Sequence, residues 1–164
     1  MDETIFRGVY EKVAPQLRSY LRVLSRDDAL ADDLVQEAFL RFLRSGVTGL
    51  NEFQMKGYLY KAGTSALIDH WRARQRERRW EETAPQTEFI SNPDLSYDMN
   101  RLFRALTTKQ QALLWLAYVE GFQHSEIAHM LGMKEDSVKV VLLRARRELA
   151  ATLNAEGLAP GGRS

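Results

Sequence analysis

The 164-residue chain contains no cysteine, which excludes a disulfide framework, a thiol nucleophile, an iron–sulfur cluster and any zinc site built on thiolates. It has no apolar run near the roughly 18 residues of a membrane span, and it does not open on a cationic segment followed by an apolar one. A cytoplasmic protein without direct membrane insertion is therefore expected. Net charge is scarce too: 23 Lys+Arg against 22 Asp+Glu leave +1, a balance that at first sight argues against a nucleic-acid partner. His124 and His129 stand five residues apart in HSEIAH, which turns the second about 140° away from the first, whereas a zinc-protease helix needs i and i+4. Gly-rich phosphate loops and serine elbows are missing as well. No catalytic residue, metal, cofactor or small-molecule substrate is expected. What is present is 45% apolar and 27% charged residues, the composition of a folded protein.

The small total charge hides a division. Residues 1–79 carry 14 basic and 11 acidic side chains, residues 80–100 carry none and 5, and residues 101–164 carry 9 and 6. The acidic middle has two prolines, polar turn formers and no helical period, so residues 80–98 read as a flexible linker. The linker can span up to roughly 60 Å when extended. An all-α chain follows, with a helical domain over 1–79, a second over 99–153 and a disordered tail over 154–164. In the first domain Ile5, Val9, Val13, Leu17, Leu21 and Leu24 recur at helical spacing over 3–24, with Pro15 expected to kink or break the helix. Further helices are expected from about Asp28 to Arg44 and from about Phe53 to Arg79. In the second, helices fit residues 99–106, 108–120, 124–131 and 135–153, with Gly121 and Gly132 between the last three.

Residues 121–149, GFQHSEIAHMLGMKEDSVKVVLLRARREL, have the layout of a helix-turn-helix: a short helix, a glycine turn and a second helix with apolar residues on one side. At about 100° per residue, Val138, Leu142, Ala145 and Leu149 share a stripe, and Lys139, Val140, Leu143, Arg144 and Arg147 point away from it toward what would be a major groove. The EIA, LG, SVK and RARREL pieces at this spacing resemble region 4 of the extracytoplasmic-function (group 4) sigma factors of bacterial RNA polymerase.

The first domain carries the same resemblance independently. DDALADDLVQEAFLRFLR (27–44) is similar to the family's region 2.2, whose helix docks on the clamp coiled coil of the polymerase β′ subunit. By helical geometry Asp33, Gln36, Glu37, Leu40 and Arg44 lie within about 100° of one another, and Leu34, Val35, Ala38 and Phe42 lie toward the other side. The resemblance implies core-polymerase binding through Asp33, Gln36, Glu37 and Leu40, and a second contact between region 4 and the β flap. GYLYKAGTSALIDHWRARQRERR (57–79) resembles regions 2.3 and 2.4, which read and help open the −10 element. Its aromatic residues offer stacking rings and its arginine-rich end suits phosphates. The implied −10 contacts are Tyr58, Tyr60, Lys61, Trp71, Arg72, Arg74 and Arg76, with Asn51 in the preceding loop. The implied −35 contacts are Lys134, Ser137, Lys139, Val140, Arg144 and Arg147.

Departures from the family pattern are specific. Gln123 and Lys134 occupy helix starts where Ser or Thr is usual, which forgoes a cap worth about 1 kcal/mol at each. Thr64 and Ser65 replace Arg and Asn, so fewer −10 contacts are expected. VKVVLLRAR stands where VKSRLxRAR is common, leaving two alternatives: Val140 and Leu143 touch thymine methyls, or they form a protein interface. The resemblance implies an alternative sigma factor that binds core RNA polymerase and promoter DNA and is controlled by an anti-sigma factor. A sigma-like mimic that titrates an anti-sigma factor and a stand-alone helix-turn-helix regulator are the rival readings.

Overall fold

The structure, a computed structural model, describes residues 3–74, 80, 103 and 105–155. Among these, every extended regular element is a helix: α1 (Glu3–Ser25), α2 (Asp28–Ser45), α3 (Glu52–Ala73), α4 (Thr108–Leu114), α5 (His124–Leu131) and α6 (Glu135–Ala155). The chain separates into two compact units, one built on α1–α3 and one on α4–α6. None of these helices is long and apolar enough to cross a membrane.

In the first unit the apolar stripes meet in a three-helix core. Leu17, Leu21, Leu24, Leu59 and Leu67 are fully buried with Tyr20 and Tyr60, whose rings lie 5.1 Å apart. α3 passes close to α1 at Gly63, where a Cβ would stand 3.2 and 3.3 Å from the methyls of Leu21 and Leu17. α1 continues through Pro15 without a break. Pro15 is exposed, as is Glu11, so the carbonyl that loses its helical donor there is on the solvent side. Ile5 is 52% exposed and lies outside the core, contrary to the periodicity.

Caps fix the ends of α2 and α3. The Asp27 side chain accepts from the Leu30 N–H at 3.0 Å, and Gly46 closes α2 with φ +67°, a left-handed conformation that costs glycine least. Asn51 and Gln54 form a reciprocal capping box at 2.8 and 2.9 Å. Arg18–Asp32 and Arg22–Asp28 join α1 to α2, and Lys12–Glu52 joins α1 to α3. The expected extension of the third helix to Arg79 is corrected at its described end: α3 closes at Ala73, with the Arg74 N–H shared between the carbonyls of His70 and Trp71. Residues 75–79 lie outside the described residues.

In the second unit Thr107 caps α4, its hydroxyl accepting from the Gln110 N–H at 3.1 Å while the Gln110 side chain accepts from the Thr107 N–H at 3.0 Å. Buried Gln111 donates to the carbonyls of Phe103 and Leu106 and ties down the segment before the cap. The helix expected over 99–106 lies mostly outside the described residues. The single helix expected over 108–120 is instead α4 followed by a π-helical turn at Trp115–Val119. The Glu120 N–H reaches back five residues to the Trp115 carbonyl, and the Trp115 indole N–H donates to the Glu120 carboxylate at 2.9 Å. This widened turn keeps Trp115 and Leu116 buried and puts Tyr118 and Val119 outside. At Gln123 the missing Ser/Thr cap is partly replaced, because the Glu126 carboxylate accepts the Gln123 N–H at 2.9 Å, half of a capping box. Gly132, with φ +64°, makes the turn into α6.

Candidate functional site

Three helical surfaces contain the residues singled out from the sequence. On α2, burial divides the helix as the angular arithmetic requires. Leu34, Val35, Ala38 and Phe42 are buried, and Asp33, Gln36, Leu40 and Arg44 are exposed. Leu43 belongs to this face and was not anticipated: it is 52% exposed beside Leu40 at 43%. The signal was available, since Leu43 follows Gln36 by seven residues, or two helical turns. The face is thus a short apolar ridge with carboxylate and amide neighbours.

Glu37 is less available than a solvated acid. Its carboxylate accepts from Arg41 Nε at 3.0 Å, and the same guanidinium donates to Asp69 on α3 at 3.3 Å. Partial burial disfavours the charge on Arg41, but the hydrogen bonds and charges of Glu37 and Asp69 outweigh it and hold its pKa above the ordinary guanidinium value. Asp32, nearby, is engaged by Arg18. Each of these acids thus pairs with a cation of the same unit while keeping part of its surface in solvent.

On α3 the expected DNA-facing residues separate. Arg72 and Arg74 are exposed at the C-terminal end of the helix, where cations suit the helix dipole. Lys61 and Tyr58 are half-buried, the Tyr58 ring lying edge-on to Phe42 at 5.4 Å. Tyr60 and Trp71 are corrected: at 0% and 2% exposure they are core residues and cannot stack on a base without unpacking the unit. Both were placed by motif, and burial follows from position, because Tyr60 follows Leu59 and precedes Thr64 and Leu67 along the buried side of α3. Asn51 is exposed, but its side-chain oxygen is committed to capping α3. A more exposed ring lies two residues on, at Phe53, 44% exposed. Thr64 is a core hydroxyl that donates to the Tyr60 carbonyl at 2.8 Å and lies 2.8 Å from the Tyr20 hydroxyl. Arg76 lies outside the described residues.

On α6, Val138, Leu142 and Ala145 are buried, and Lys134, Ser137, Lys139, Val140, Leu143, Arg144 and Arg147 are all exposed. The arginines and Lys139 make no salt bridge with another described residue. Their charge is therefore free to meet phosphate, while Glu135 and Asp136 in the first turn favour the helix start.

Comparison with known proteins accords with these two units. A model of sigma-70 region 2 matches residues 9–77, and one of sigma-70 region 4 matches residues 98–149. The ECF RNA polymerase sigma factor SigL of Mycobacterium tuberculosis is 30% identical over 169 aligned positions, covering 96% of this chain and 93% of SigL. SigM of Bacillus subtilis is 24% identical over 153, covering 89% and 93%. Among solved structures, the sigma factor RpoE of Bartonella quintana, crystallised with the anti-sigma factor NepR, shares the fold with a TM-score of 0.69 at 24% identity, covering 90% of this chain and 96% of that one. With both sigma regions in order along a chain nearly as long as these relatives, the protein belongs to the ECF RNA polymerase sigma factors.

Proposed function

We propose that this chain binds core RNA polymerase and directs it to specific promoters, with residues 1–79 serving as region 2, 80–98 as the linker, 99–153 as region 4 and 154–164 as a tail. The polymerase β′ clamp coiled coil would meet α2 at Asp33, Gln36, Glu37 and Leu40, to which the exposed Leu43 is added. The −10 element would meet Lys61, Arg72, Arg74 and Tyr58. The −35 element would meet Lys134, Ser137, Lys139, Val140, Arg144 and Arg147, and the β flap would hold region 4. A separate anti-sigma factor is the inhibitor, by analogy with the RpoE–NepR pair.

The observation that supports this reading is the pairing, on one chain, of an exposed Leu40–Leu43 ridge on α2 with an exposed basic face on α6. A stand-alone DNA regulator accounts for the second alone, and a sigma-like mimic for the first alone. The test is reconstitution with core polymerase, followed by promoter-dependent transcription. Leu40→Asp places a charge on a contact ridge that is already exposed, so binding to core falls at least tenfold while the helical circular-dichroism signal and melting temperature are unchanged. Absence of core binding by the wild type would refute the proposal. Core binding without initiation would identify a mimic, and promoter binding without core would identify a stand-alone regulator.

A further inference from the structure

The exposed side of α6 is not uniformly basic. Relative to buried Val138, Leu142 and Ala145, the direction pointing straight away from the core is taken by Arg147, Val140 and Asp136, with Leu143 and Arg144 on either side of them. Val140 is 46% exposed and Leu143 41%. Two aliphatic side chains therefore stand on the outward surface, among Asp136, Ser137, Lys139, Arg144 and Arg147, all exposed.

We infer that Val140 and Leu143 determine the sequence preference of α6 by packing against thymine methyl groups in the major groove of the upstream promoter element. This rests on the promoter-reading function proposed above and names its chemistry. Neither side chain carries a donor or acceptor, so either would leave the polar edge of guanine, adenine or cytosine desolvated and unpaired. Thymine alone offers an apolar group in that groove. Residues at i and i+3 of a helix are about 5–6 Å apart, which matches one to two base steps of about 3.4 Å. The preferred element accordingly has thymines at adjacent or next-adjacent positions. The flanking cations select nucleic acid over protein as the occupant: Lys139, Arg144 and Arg147 complement phosphates on either side of the groove.

The experiment uses polymerase holoenzyme reconstituted with the full chain. Duplexes randomised in the upstream element are selected by transcription, and the enriched element is then synthesised with thymine or with uracil, which differs only by the methyl group. Thymines are enriched, and each uracil lowers promoter affinity about fourfold, the factor for one buried methyl-sized group. V140A and L143A each remove the sensitivity at one position and keep it at the other. V140S/L143R, checked for an unchanged melting curve, enriches a different element that is indifferent to uracil. A holoenzyme that initiates but enriches no thymine, or that ignores uracil, overturns this inference and leaves the sigma-factor function standing. Variants that select the same element but lose affinity for core polymerase or an anti-sigma factor assign the face to protein and overturn it too. A holoenzyme that directs no initiation refutes the promoter-reading function itself.

Discussion

The buried hydroxyl pair between α1 and α3 gives a sharp test of how the first unit is held together. Tyr20 is 0% and Thr64 1% exposed, and their oxygens are 2.8 Å apart. Thr64 has one hydroxyl proton and gives it to the Tyr60 carbonyl, so toward Tyr20 it can only accept, and Tyr20 must be the donor. Thr64→Val keeps the shape but removes the acceptor that the buried tyrosine hydroxyl faces, at a cost of about 2 kcal/mol. Tyr20→Phe removes the donor and leaves the Thr64 bond to Tyr60 in place, at about 1 kcal/mol. The double variant removes both members of the pair and costs about 1 kcal/mol, so the two changes couple by about 2 kcal/mol. Urea unfolding read through backbone-amide exchange in α1 and α3 reports this unit alone. If Thr64→Val costs no more than Tyr20→Phe, or if the double variant shows the sum of the single costs, the assigned direction and burial of this bond are wrong.

Other substitutions probe the remaining supports. Gly63→Ala is near neutral in thermal melting, because helix propensity gained offsets crowding against the Leu17 and Leu21 methyls, whereas Gly63→Leu costs at least about 3 kcal/mol through overpacking; equal melting of the two would refute a tight α1–α3 crossing. Gly46→Ala, with open space around it but φ +67°, costs about 1 kcal/mol from backbone strain alone, measured by urea midpoint. Thr107→Ala costs about 1 kcal/mol and raises amide exchange in the first turn of α4; protection that stays unchanged would show the cap to be idle. Arg41→Gln removes two ion pairs of a partly exposed network and lowers stability by roughly 0.5–1 kcal/mol, with the loss shrinking in high salt.

Much of this architecture is legible from the spacing of apolar residues. The stripes Val9–Val13–Leu17–Leu21–Leu24 and Val138–Leu142–Ala145 are buried as periodicity demands, because a 3.6-residue repeat leaves them only one side to occupy. The division of α2 into Leu34–Val35–Ala38 inside and Gln36–Leu40 outside follows from the same angle. Where the sequence misleads, a tertiary or side-chain effect outweighs a local one. Pro15 does not interrupt α1, since its cost is reduced by exposure and outweighed by the buried residues on either side. Tyr60 and Trp71 have the chemistry of stacking rings, but the helix turns them inward, and motif matching carries no angle. The π turn at Trp115–Val119 depends on the contact between the Trp115 indole and Glu120, which no periodicity encodes. The cap at Gln123 comes from Glu126, three residues later, rather than from the capping position itself.

The bridging guanidinium of Arg41 makes α2 a helix with divided loyalties. Glu37 is at once a partner of Arg41, and through it of Asp69 on α3, and a member of the surface assigned to polymerase. Whatever draws Glu37 outward must first compete with Arg41, so part of the attraction measured for the outside partner is spent on a pair within α2, while the seam to α3 keeps its own pair of Arg41 and Asp69. Linkage is reciprocal: a partner that takes Glu37 leaves Arg41 to Asp69 on α3, and loss of Asp69 leaves Arg41 to Glu37.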